Sequence, residues 1–158
     1  MRLWHYKVIP ALPNKMLVAQ WRECIAIKRQ WEKGTLKHRL VSYVMEYDKK
    51  YFYNYTTRVC QEMLKRNIKY QDKYLYEIMD FCKCVGNSLY PMDILNYPEH
   101  NDRYLIQCYY NLQEKYDRGI ITNDEWREIV LCSAITEAFR NQDAELLLKC
   151  VKDKKENL

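Results

Sequence analysis

The chain has 158 residues and a mass of 19.4 kDa; 48% of it is apolar, and 26 Lys/Arg against 21 Asp/Glu give a formal charge of +5. That size fits one domain with a real core and excludes wholesale disorder, while three glycines and four prolines are too few for a sandwich or barrel that turns roughly every ten residues. No apolar run approaches the roughly 20 residues of a bilayer span and the charged start is no signal peptide, so the expectation is a soluble intracellular protein, cytoplasmic or associated with nucleoid or nucleus.

The first element is not a helix. Residues 1–13 hold Pro10 and Pro13 among Leu3, Trp4, Val8, Ile9 and Leu12, which predicts an irregular arm packed into the body. An arm tied down by Trp4 fixes the chain's α-amino group in space, where a terminus otherwise frays. From Pro13 or Asn14 to Lys33 the spacing of Leu17, Trp21, Cys24 and Trp31 predicts a helix. A second flank of that helix carries Met16, Ala19, Ala26 and Ile27 around one carboxylate, Glu23.

A second helix is expected over about 50–66, where Phe52, Tyr55, Val59 and Met63 repeat at helical spacing, and a third over Asp72 to Cys84. A fourth runs from Asn101 to Arg118 with Leu105, Cys108, Tyr109 and Leu112 inward. Thr122-Asn123-Asp124-Glu125 reads as a capping box before Trp126, Ile129 and Val130, and a last helix is expected over about 144–152. Gly34, Gly86 and Gly119 each follow a helical stretch, as left-handed C-terminal residues do. Strand alternation is missing, so the fold class is all-α.

Charge is unevenly placed. Residues 1–80 carry 16 Lys/Arg and 8 Asp/Glu, a balance of +8, whereas residues 81–158 carry 10 and 13, a balance of −3. A basic half suits a polyanion, and phosphate is the commonest; a solvated lysine-rich surface is the plainer reading. The seven cysteines form no tight framework and suit reduced thiols, with Cys60, Cys108 and Cys132 on apolar stripes. Cys82-x-Cys84 lacks zinc-knuckle spacing, and His5, His38 and His100 are scattered, so neither a metal nor a cofactor is expected. No phosphate-cradling glycine loop or nucleophile elbow is present. Most of the 15 tyrosines are spaced as packing residues rather than as base-stacking platforms.

The opening Met-Arg-Leu-Trp-His, then Ile9, Leu12-Pro13 and Leu17-Val18-Ala19-Gln20-Trp21-Arg22-Glu23-Cys24, resembles the pyrimidine-dimer DNA glycosylase family. The likeness is to the endonuclease V-like group and, within it, to a bacterial-type branch with this start. Lys37-His38, Tyr43-Val44, Glu62-Met63-Leu64-Lys65-Arg66 and Tyr97-Pro98-Glu99-His100 extend it over most of residues 1–112. Length and helical spacing lead to a compact single-domain helical bundle over 1–158, in which the resemblance marks a glycosylase-like core at 1–118 and does not reach the C-terminal helical extension at 119–158. The resemblance implies a DNA-repair glycosylase with abasic-site lyase activity on pyrimidine dimers, whose partner is damaged double-stranded DNA, without membrane, cofactor or metal, and as a monomer.

The family's nucleophile is the α-amine of its first residue, which falls on Met1, and its catalytic glutamate falls on Glu23. The family's arginines fall on Arg2 and Arg22; Lys15, Lys37 and His38 join them as DNA-binding candidates. The family's phage enzyme, the member after which the endonuclease V-like group is called, exposes a threonine after losing its initiator methionine; with bulky Arg2 next, Met1 is expected to be kept. A histidine of the phage enzyme's helix is replaced by Met16, and the segment between Glu23 and His38 is shorter. An α-amine titrates at about 7.7–8.0, so a neutral fraction able to attack a sugar carbon exists near neutral pH. Extruding the nucleotide costs a few kcal/mol, which phosphate contacts from Lys15, Arg22, Lys28, Arg29, Lys33, Lys37 and Arg39 can offset.

Other readings stand beside these. Glu23 can instead pair with Arg22 or Lys15 on a helix surface. His38 is a polar cap or a DNA contact, and Glu99-His100 a cap or part of the site. The whole chain can be a DNA-binding module of the same fold that is catalytically inactive or directed at another base lesion, or a helical interaction protein.

Overall fold

The structure, a computed structural model, describes residues 1–83 and 95–156, with side chains through residue 145. All of its regular elements among these residues are helical, which bears out the all-α expectation. Contacts divide the chain into two compact units, Met1–Pro98 and Glu99–Leu158. The fourth helix, which the sequence groups with residues 1–118, therefore sits in the second unit.

The first unit opens with the arm, which contains a 3₁₀ helix, Tyr6–Ala11, with Pro10 inside it. Leu12 is extended, as the residue before a proline must be, and the carbonyl of Pro13 accepts from Met16 and Leu17 to start helix α1, Asn14–Glu32. A 3₁₀ turn at Ser42–Glu46 leads to α2, Lys49–Lys65, and then comes α3, Asp72–Phe81. Gly34 and Asn67 follow α1 and α2 with φ of 67° and 56°. A side chain at position 34 would meet nothing within 4 Å, so the glycine relieves backbone strain there rather than crowding. Gly86 and Cys84 lie outside the described residues.

Helix α1 packs against α2 and α3, and the arm packs on α2. The core joins Leu3, Val8, Ile9 and Leu12 of the arm to Leu17, Trp21, Cys24 and Ile27 of α1 and to Phe52, Tyr55, Val59 and Met63 of α2. Burying each such aliphatic side chain stabilises the fold by about 1.5–3 kcal/mol. Trp31 closes the far end of α1, edge-on to Phe52 at 6.0 Å and to Phe81 at 5.4 Å.

In the second unit α4, Asp102–Asp117, packs on α5, Asn123–Val130, and on α6, Ser133–Glu156. The start of α6 lies eleven residues earlier than the apolar spacing suggests. The capping box forms, Thr122 Oγ1 accepting from Glu125 N while the Glu125 carboxylate accepts from Thr122 N. Helix α4 is capped by Asn101, whose side chain accepts from Tyr104 N; neither Glu99 nor His100 fills that role. Tyr116 stacks on Trp126, while Tyr109 lies tilted against it and meets Phe139 edge-on, so these tyrosines are packing residues. No helix among the described residues is long and apolar enough to cross a membrane.

Candidate active site

The first residues are held from three sides. Leu3 is fully buried and Trp4 nearly so. The backbone of Trp4 is clamped at both polar atoms: its N–H donates to Gln20 Oε1 of α1 at 3.2 Å, and its carbonyl accepts from Tyr55 Oη of α2 at 2.8 Å. His5 caps the 3₁₀ helix by accepting from Lys7 N at 3.1 Å. Further along, Arg66 fans its guanidinium over the arm, donating to the carbonyls of Leu12, Pro10 and Ile9 and to Asn14 Oδ1. Glu62 holds that guanidinium from behind at 2.7 Å.

This anchoring sets the position of the α-amine. Arg2 N donates to Glu23 Oε2 at 2.7 Å, a charge-assisted bond between the arm and the middle of α1. Only one residue of backbone separates that nitrogen from the terminus, so the Met1 amine lies within roughly 6.5 Å of the Glu23 carboxylate. The same amine sits 3.3 Å from His38 Nε2, on the segment between α1 and the second 3₁₀ turn. Met1, Arg2, Glu23 and His38 are therefore gathered at one place, each half-buried. The Arg2 guanidinium lies over the Trp4 ring at 5.3 Å.

Glu23 takes part in none of the ion pairs among the described residues, so the surface pairing with Arg22 or Lys15 is not formed. Its charge stays available while one oxygen receives the Arg2 amide. His38 caps no helix with its side chain; its carbonyl accepts from Val41 N and Ser42 N, and its ring faces the amine.

Lys15 and Arg22 are exposed on α1, and Lys37 is exposed one residue before His38. They are open to solvent, but no contact draws them to the amine. Lys28 departs from the cationic face read from the sequence: it is 8% exposed, pairs with Glu32 at 2.8 Å and lies over Phe81. Arg29 likewise packs over Tyr74 at 5.2 Å. Among the described residues no group of three or more His, Cys, Asp or Glu is placed to hold a metal ion.

Gln20, Tyr55 and Arg66 are the positioning residues that sequence reasoning passed over. A buried glutamine beside Trp21 is a weak local signal; Tyr55 and Arg66 act on residues more than fifty positions away and carry none.

Comparison with known proteins finds a likeness to one class, the DNA-repair glycosylases. Within it the family is specific: the model of the family described as pyrimidine dimer DNA glycosylase matches residues 1–76, just under half of the chain. Those residues take in the arm, α1, α2 and the opening of α3, and the family resemblance read from the sequence is shown over them. The match supports an enzyme whose substrate is DNA. No curated protein and no solved structure matches the chain.

Proposed function

We propose that the chain is a DNA glycosylase with abasic-site lyase activity, acting on pyrimidine dimers in duplex DNA through the α-amine of Met1. The observation that carries this reading is the hydrogen bond from Arg2 N to Glu23, which holds the terminal amine beside a carboxylate that no cation neutralises. The clamp that buries Leu3 and Trp4 also fixes the amine near Glu23, where an unanchored terminus would fray.

The neutral amine attacks the anomeric carbon of the damaged nucleotide; an N–C bond forms, the glycosidic bond breaks, and its electron pair leaves with the base. Ring opening converts the adduct to a Schiff base. Glu23 stabilises the cationic sugar and accepts a proton in the β-elimination that cuts the strand. Arg2, Arg22, Lys15 and Lys37 bind the phosphates and offset the cost of extruding the nucleotide.

Sodium borohydride trapping on duplex with one abasic site tests this directly. A covalent protein–DNA adduct that peptide mapping assigns to Met1 is expected, with incision of ultraviolet-irradiated duplex and none of undamaged duplex. Adduct on abasic DNA without incision of irradiated DNA would redirect the enzyme to another base lesion. DNA binding with no adduct would make it an inactive module of the same fold.

A further inference from the structure

We propose that His38 is the group that takes the proton from the Met1 ammonium and so prepares the nucleophile, a role distinct from contacting DNA. The inference rests on the reading of Met1 as the attacking amine.

An ordinary α-amine is about one-tenth neutral at pH 7. Once a bound duplex covers the arm and excludes bulk water, the proton must pass to a protein atom within hydrogen-bonding reach. Glu23 does not meet that requirement: Oε2 already accepts Arg2 N at 2.7 Å, and the amine is not among the groups that ion-pair with this carboxylate within 4.0 Å. His38 Nε2 does, at 3.3 Å. The two side chains therefore divide the work, the imidazole serving the amine and the carboxylate serving the sugar.

The far side of the ring fits the same task. His38 Nδ1 is buried and has no hydrogen-bond partner among the described residues. A histidine held permanently as a cation, or used as a fixed tether, has its second nitrogen satisfied by a carboxylate or carbonyl. For Nε2 to accept, the ring's own proton sits on Nδ1, where no described group engages it, so among the described residues the Met1 amine is the one group with which the ring can exchange a proton. The charged group at its ring is the amine; Glu23 is tied to the same end of the arm through Arg2 N, the Arg2 guanidinium lies over Trp4, and the exposed Lys37 and Arg39 flank His38 on its own segment. None of the other ionisable side chains described, including those of α2 and the second 3₁₀ turn, hydrogen-bonds or ion-pairs with its ring. In the step itself the N–H bond of the ammonium breaks, the new N–H bond forms at Nε2, and the freed lone pair attacks carbon.

The test is the single-turnover rate of borohydride trapping on abasic duplex, at saturating protein, from pH 6 to 9.5. His38→Gln keeps a hydrogen-bonding side chain that cannot accept a proton in this range. Its rate is expected to fall about tenfold at pH 6.5–7 and to converge on that of the unaltered protein above about pH 9, where solvent has already deprotonated an ordinary α-amine. His38→Ala should behave likewise and recover when imidazole is added at pH 7. A His38→Gln rate equal to that of the parent at every pH, or lower by the same factor at every pH, would overturn the proposal, as would loss of duplex affinity with an unchanged rate at saturation. If the unaltered protein gives no adduct at Met1, the functional reading has failed, which is seen before any His38 variant is made.

Discussion

Replacing Glu23 by glutamine separates the two tasks that the structure gives this side chain. The amide oxygen of glutamine can still accept the Arg2 N–H, now made at 2.7 Å, and glutamine suits a helix interior as well as glutamate does. What disappears is the charge. A hydrogen bond to a charged acceptor contributes about 1.5–3 kcal/mol and a neutral one about 0.5–1.5. The stability loss should therefore be roughly 1 kcal/mol, or about 2–4 °C in Tm for a chain of this length. A carboxylate acting on protons in the transition state contributes about 10²- to 10⁴-fold, so Glu23→Gln should trap adduct at least a hundredfold more slowly. Glu23→Ala removes the acceptor as well and leaves the Arg2 amide unpartnered, at a cost of about 1–3 kcal/mol. Thermal melts and single-turnover trapping on the same preparations read both effects. Trapping by Glu23→Gln within about threefold of the parent would show that Glu23 only tethers the arm, and the catalytic role would be refuted.

Two further outcomes follow from the packing. Tyr55→Phe removes the hydroxyl that donates to the buried Trp4 carbonyl, and it should cost about 1–3 kcal/mol in urea unfolding. It should also slow trapping by loosening the amine; an unchanged urea midpoint would mean that the clamp contributes nothing. Burial, above all, raises the Cys60 thiol from 9.0 to about 12, raises the Tyr70 hydroxyl to about 12, and pushes the fully enclosed Cys24 thiol up as well. The folded state thus holds protons that the unfolded chain releases from about pH 9, so this contribution is complete below pH 9 and is lost as pH rises toward 12. Tm should decline over that interval, and Cys60→Ala should make the decline shallower even though its cavity lowers Tm throughout. A slope unaffected by that substitution would contradict the assignment.

Helices α1 to α5 were legible in the amino-acid order because what makes them is local. Apolar residues three and four apart align on one face, and Thr122 meets Glu125 only three positions away. The arm was legible in part, since two prolines disfavour an α-helix while Leu3, Trp4 and Ile9 demand burial; its 3₁₀ helix over Tyr6–Ala11, with Pro10 inside, was not. The match to a glycosylase family over residues 1–76 likewise needed only the order of residues.

Other features came from folding alone. The order of residues left Lys28 among the free cations, whereas packing against Phe81 and pairing with Glu32 withdrew it from solvent. Glu23 could equally have been a surface partner of Arg22 until the arm arrived to occupy it. The amine meets His38 across 37 positions, Trp4 meets Tyr55 across 51, and Arg66 reaches the arm across more than fifty. Such contacts depend on how the helices pack, and no periodicity along the chain encodes them. The chain itself specified which groups are available; only the closing of the arm onto α1 and α2 decided which of them share a site.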